Sequence, residues 1–172
     1  MEMKTFISSL KPEKGKVYML CGLAGAGKTT LAMEMAERGF TRLSIDEYIW
    51  KHYGRFGLDY PAEDYPKLQQ AAETALRQEL TGYLEQKVPV VIDYSFWDRK
   101  RRDAYKTLIH EHGAQSQLLY LKIDPEVVRA RLKVRSARFD ANAAFPITDD
   151  ILSFYLNAFE EPSGEDEIVV TQ

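Results

Sequence analysis

A single cysteine, Cys21, stands in the 172 residues, so no internal disulfide can form. Lying in an apolar run, it reads as a buried strand thiol rather than a reactive one. No apolar run approaches the roughly 20 residues of a membrane-spanning helix. Residues 1–16 carry charges throughout and hold no apolar h-region, so no secretory leader is expected and the chain reads as cytoplasmic. The three histidines, His52, His110 and His112, show no metal-ligand spacing. Repeats, linkers and low-complexity tracts are lacking, and 172 residues suit one domain spanning 1–172. Surplus positive charge is lacking too. A net charge of −3 argues against a protein whose whole surface tracks nucleic acid. Its distribution is uneven, however: residues 99–138 hold eleven Lys or Arg against Asp103, Glu111, Asp124 and Glu126, so this span carries +7 and the remainder −10. Such asymmetry suits an internal anion site.

What is present centres on Gly22-Leu23-Ala24-Gly25-Ala26-Gly27-Lys28-Thr29, which satisfies every fixed position of the phosphate-binding loop G-x-x-x-x-G-K-[ST]. Backbone N–H groups from Gly22 through Ala24, Gly25 and Ala26 to Thr29 and Thr30 are expected to converge on phosphates. Lys28 reaches the β- and γ-phosphates, and the Thr29 hydroxyl is positioned to ligate Mg²⁺. An apolar strand at 17–21 precedes the loop and a helix at 28–38 follows it, which is the context the motif requires.

Further strands are predicted at 41–45, 88–92, 117–123 and 167–170, with helices at 62–86, 99–112, 125–135 and from 149 onward. Asp98 and Thr148 are candidate caps, and Asp124 followed by Pro125-Glu126 reads as another. Residues 46–65 show no clear period, so a shaped loop is expected there. It carries Tyr48, Trp50, Tyr53, Phe56, Tyr60 and Tyr65, either packed beneath the loop or stacking a substrate. Residues 136–147 are expected to form a lid. The alternation predicts an α/β fold with a parallel sheet covered on both faces and ligands outside the carboxyl ends of its strands.

Asp46 closes the second predicted strand and is the candidate carboxylate for an acceptor hydroxyl, with helix capping as its plainer role. Asp93, closing the third, binds Mg²⁺ directly or through water, touches the acceptor, or makes local turn bonds with Ser95. Arg131, Arg135 and Arg138 share one helix face running into the lid and are candidates to clamp a transferred phosphate; cations also suit a helix C-terminus. Arg99, Lys100, Arg101 and Arg102 read as a solvated run or a substrate contact.

The loop, Ser44-Ile45-Asp46, the run Val91-Ile92-Asp93-Tyr94-Ser95-Phe96 with Arg99 and Arg102, and the Arg131/Arg135 pair together resemble the small P-loop kinases. Within them the chain is similar to the AAA_33 type, related to polynucleotide 5′-hydroxyl kinase, zeta toxin and chloramphenicol phosphotransferase. The resemblance implies a three-layer P-loop NTPase fold, a five-stranded parallel sheet of order 2-3-1-4-5 and a small helical lid. It further implies ATP and Mg²⁺ as cofactors, Lys28, Asp46, Arg131 and Arg135 as catalytic groups, and Arg131 and Pro162 beside the adenine. The third-strand motif departs from the Asp-Ala-Thr-Asn common near polynucleotide kinases, which favours a small-molecule hydroxyl acceptor over nucleic acid. The competing readings are a nucleotide or polynucleotide 5′-hydroxyl kinase, a toxin-like kinase of nucleotide sugars, and a nucleotide-regulated binding module that transfers nothing.

Overall fold

The computed structural model describes residues 1–135 and 148–172, with Arg135 described by its backbone alone. The expected lid at 136–147, Arg138 included, lies outside the described residues.

Residues 17–21 of the first strand, β1 (Lys16–Cys21), are all apolar and point alternately to the two faces of the sheet, and so build two cores at once. Val17, Met19 and Cys21 face one side of the sheet, where they pack with Leu76, Leu80 and Leu84 of α4 (Tyr65–Glu85) and with Tyr105 and Ile109 of α5 (Arg99–Glu111). Tyr18 and Leu20 face the other side, against Leu31, Ala32 and Met35 of α2 (Lys28–Glu37) and Phe6 of α1 (Met3–Ser9). Each such fully buried side chain contributes about 1.5–3 kcal/mol. Two helical layers around one sheet follow from this alternation.

The sheet is wholly parallel and five-stranded, in the order β2 (Thr41–Leu43), β3 (Val90–Ile92), β1, β4 (Gln115–Leu121), β5 (Ile168–Val170). This is the order the resemblance implied. Register brings Leu43 and Met19 level with Ile92, so β1 and its two neighbours on that side present their carboxyl ends together.

Three features differ from the expectations. The second strand stops at Leu43, and residues 46–65 are not one loop, because α3 (Ile45–Tyr53) opens there. Ser44 caps it, its Oγ accepting from the Glu47 N–H at 3.2 Å. Asp46 therefore lies in the first turn of a helix rather than at a strand end. Between α3 and α4 the chain makes a short 3₁₀ turn (Ala62–Asp64), which splits the helix expected at 62–86. Finally, α1 forms where only a charged lead-in was expected, because Phe6 and Leu10 are buried against α2 and the sheet. Two more helices, α6 (Pro125–Arg135) and α7 (Asp149–Ala158), flank 136–147. Asp98 and Thr148 cap α5 and α7 as expected, and Asp124 Oδ1 accepts the Glu126 N–H at 2.8 Å.

Candidate active site

Gly22 leaves the end of β1, and the following loop turns sharply through Gly25 (φ 81°) and Gly27 (φ 98°), left-handed positions that a side chain would strain. Gly27 is also the N-cap of α2 and provides no side-chain hydrogen bond, so the first N–H groups of that helix are not spent on a cap. An anion-binding concavity results, fitted to phosphate. Lys28 folds back across it, Nζ donating to the Gly22 carbonyl at 2.9 Å and to that of Leu23 at 2.8 Å. From α6, Arg131 Nη1 reaches the Gly25 carbonyl at 3.2 Å, and its Nη2 bonds the Gln172 side chain, whose Nε2 donates to the Ala26 carbonyl at 2.8 Å.

Beside the loop, Thr29 Oγ1 donates to Asp93 Oδ2 at 3.3 Å. The same oxygen takes Nε and Nη2 of Arg42, on β2, at 3.0 and 2.8 Å. Asp93 is only 4% exposed at its side chain, so this pairing offsets the cost of burying its charge. Among the described residues no hydrogen bond joins Ser95 to the Asp93 side chain; the Ser95 carbonyl accepts the Gly22 N–H at 3.2 Å and ties the loop to the segment after β3. Thr29 and Asp93 supply hard oxygen donors side by side. They fit a magnesium ion that keeps most of its water, since Arg42 occupies Oδ2.

That segment is itself braced. Phe96 is fully buried with φ 47°, in the left-handed region that a bulky residue enters at a cost of about 1–3 kcal/mol. Its carbonyl is held by Arg102 Nη1 at 2.7 Å and by the Cys21 thiol at 3.2 Å. Arg102 in turn forks onto Glu165 through Nε and Nη2, both at 3.0 Å, and Lys106 joins at 2.8 Å. Burial pushes the Glu165 carboxyl up, yet the hydrogen bonds and charges of Arg102 and Lys106 outweigh it and hold the group at about 2. Arg102 is thus a core brace. Burial pushes the Cys21 thiol up to about 11 against the lowering charges of Arg102 and Lys28, which fits an inert strand thiol.

One cavity of about 1500 Å³ joins the loop to the ground beyond it. Gly22, Leu23, Ala24, Gly25, Gly27, Lys28, Thr29 and Thr30 line it, with Asp46, Asp93 and Arg131. Ala26 is buried beneath the loop, and Pro162 is buried and does not line the cavity. On the Arg131 side the walls come from α1, through Met3 and Ile7, and from Val127, Val134 and Gln172. The side chain of Arg135 lies outside the described residues. Beyond the loop the walls are Tyr65, Tyr94, Trp97, Tyr155 and Phe159. Tyr65 Oη donates to Asp46 Oδ1 at 3.3 Å.

Of the six aromatics in 46–65, Tyr65 alone lines the cavity. Tyr48, Phe56 and Tyr60 pack with Ile49 and Ala72 in a satellite core between α3 and α4. Arg42 carries no motif, and its one signal in the sequence is that a cation within an apolar strand demands a partner. The signal for α3 is the Ser44-x-x-Glu47 spacing, a helix-start signature.

A glycine loop between a first parallel strand and its helix, with acids near the ends of the neighbouring strands and the order 2-3-1-4-5, defines a P-loop kinase fold. The chain belongs to the AAA_33 family, an AAA domain whose model matches residues 17–162. Similar solved structures include a gluconokinase from Sinorhizobium meliloti 1021, 20% identical with a TM-score of 0.58 over 92% of this chain and 83% of that one. A sugar kinase from Janibacter sp. HTCC2649 is 20% identical, with a TM-score of 0.59 over 92% and 86%. Kti12 from Chaetomium thermophilum, in complex with ADP-AlF3, is 16% identical, with a TM-score of 0.61 over 91% and 88%. At these identities the likeness is one of fold. Among the described residues no helix is long and apolar enough to cross a membrane.

Proposed function

We propose that this chain is an ATP-dependent kinase that transfers the γ-phosphoryl group to a hydroxyl of a small molecule. The observation that carries the reading is that Asp46 and the phosphate loop open onto one cavity. At about 1500 Å³ the cavity exceeds the roughly 300–1,000 Å³ of a single-ligand pocket and has room for a nucleotide and an acceptor together. The gluconokinase and sugar kinase neighbours support the same class, and the Kti12 complex supports nucleotide binding.

In this reading the loop N–H groups and Lys28 hold the phosphates, and Arg131, with Arg135, approaches them from α6. Thr29 and Asp93 would hold a magnesium ion, whose chemistry there is to neutralise charge on the β- and γ-phosphates. Asp46 accepts a hydrogen bond from the acceptor hydroxyl and orients it. As the acceptor oxygen bonds to the γ-phosphorus, its proton passes to the Asp46 carboxylate, and the bond from phosphorus to the bridging oxygen breaks with its electrons left on ADP. Tyr65, Trp97, Tyr155 and Phe159 give this half of the cavity apolar walls that exclude water.

Asp46→Asn is the direct test. It is expected to leave the dissociation constant for ATP unchanged and to lower transfer by about 10²–10⁴-fold, measured with labelled ATP across a panel of alcohols. Unchanged turnover would remove Asp46 from the mechanism. Tight ATP binding with no transfer to any acceptor would instead favour a nucleotide-regulated binding module.

A further inference from the structure

We propose that Arg101 binds an acid group on the acceptor, so that the substrate class is an alcohol that also carries a carboxylate or a phosphate. This rests on the reading of the cavity as a kinase site. The basic residues at the start of α5 diverge. Arg99 turns to Asp103 and the Ser163 carbonyl, Arg102 turns into the core, and Arg101 turns into the cavity wall beyond the phosphate loop.

Its guanidinium lies on an aromatic platform, 5.3 Å from the ring centre of Tyr94, 5.6 Å from Phe96 and 5.9 Å from Tyr105. From behind, Glu73 of α4 fixes one edge of it: Oε1 accepts from Nε at 3.2 Å and from the Tyr105 hydroxyl at 2.8 Å. Glu73 does not line the cavity, whereas Arg101 does. Nη2 lies 2.9 Å from Glu73 Oε1 but outside hydrogen-bonding geometry, and Nη1 has no hydrogen bond among the described residues. Nη2 is closed off from solvent beside Glu73, so Nη1 is the end of the guanidinium left for a ligand, and a charge-assisted hydrogen bond from it suits one oxygen of a carboxylate or phosphate. Stacking and Glu73 have already removed the rotamer freedom that such binding would otherwise cost. Asp46 takes the hydroxyl, and Arg101, of opposite sign, takes the acid group.

The test is calorimetric binding, in the presence of a non-hydrolysable ATP analogue, of matched pairs that differ by one acid group: glycerate against glycerol, gluconate against sorbitol, adenosine 3′-phosphate against adenosine. The acid of at least one pair is expected to bind about tenfold to a hundredfold tighter than its neutral partner. Arg101→Gln is expected to abolish that preference while the affinity for the ATP analogue holds, and Arg101→Lys to restore part of it. The carboxylate and phosphate arms separate the two kinds of acid. No preference in any pair, or a preference that survives Arg101→Gln, overturns the proposal. Acid-selective binding without phosphoryl transfer to the bound alcohol would leave the Arg101 site standing and strike the kinase reading instead.

Discussion

Tyr65 gives Asp46 a fixed donor, and the phenol cannot lose that function at ordinary pH. Burial first, and then the neighbouring Asp46 charge, push its ionisation far above the usual tyrosine range. In the proposed mechanism that hydrogen bond fixes the orientation of the carboxylate that addresses the acceptor. Tyr65→Phe is accordingly expected to lower kcat by about tenfold, the worth of one hydrogen bond to a charged group, without altering ATP affinity. An unchanged kcat would show that the ring only packs. At this scale the loop residues, Asp46 and Asp93 were legible, because a motif and chain position announce them. Arg42 and Arg101 were not, because each takes its meaning from a partner on another element: Asp93 across the sheet for one, Glu73 of α4 for the other. The run at 99–102 shows the limit clearly. Neighbouring arginines of identical chemistry end up in solvent contact, in the cavity wall and in the core, and α5 sorts them by angle alone.

At the scale of the element, α3 decides where Asp46 stands. Its aromatic content and the nearby Gly54, Gly57 and Pro61 disguised a helical period in which Ile45, Tyr48 and Ile49 face α4. The true signal was the cap. Ser44 bonds the Glu47 N–H and so caps the helix two residues before Asp46, tying the candidate base to a rigid first turn. Ser44→Ala should cost about 1 kcal/mol of stability. Because the fraying is local, kcat is expected to fall further than the shift in thermal unfolding accounts for. If activity and melting temperature decline in proportion, α3 is held by its packing against α4 and the cap contributes little to the site. The α1 helix was hidden for a different reason: its seven residues show too little period to read, and it is held by Phe6 against the sheet-side core.

For the molecule as a whole, alternation of strand and helix was enough to foresee a covered parallel sheet, and the family resemblance supplied its strand order. Neither reveals how the far end of the chain returns to brace the segment after β3. Glu165, beyond α7, reaches Arg102 on α5, and Arg102 holds the strained Phe96 carbonyl beneath the phosphate loop. Both side chains are 1% exposed, so removing one leaves an uncompensated charge in the core. Glu165→Gln is expected to cost about 3–5 kcal/mol at neutral pH. Its pH dependence is more telling. The carboxyl ionises at about 2 in the folded protein against 4.5 ordinarily, so the unfolded chain takes up a proton first as the solution is acidified. The stability it supplies is whole above 4.5 and is lost as pH falls toward 2. Urea unfolding of the two proteins at pH 7, 4 and 3 should therefore show a gap that narrows with acid, the other acidic residues cancelling in the difference. A gap that stays constant across that range would mean that the Arg102–Glu165 pair is not what holds the loop-bearing end of the sheet together.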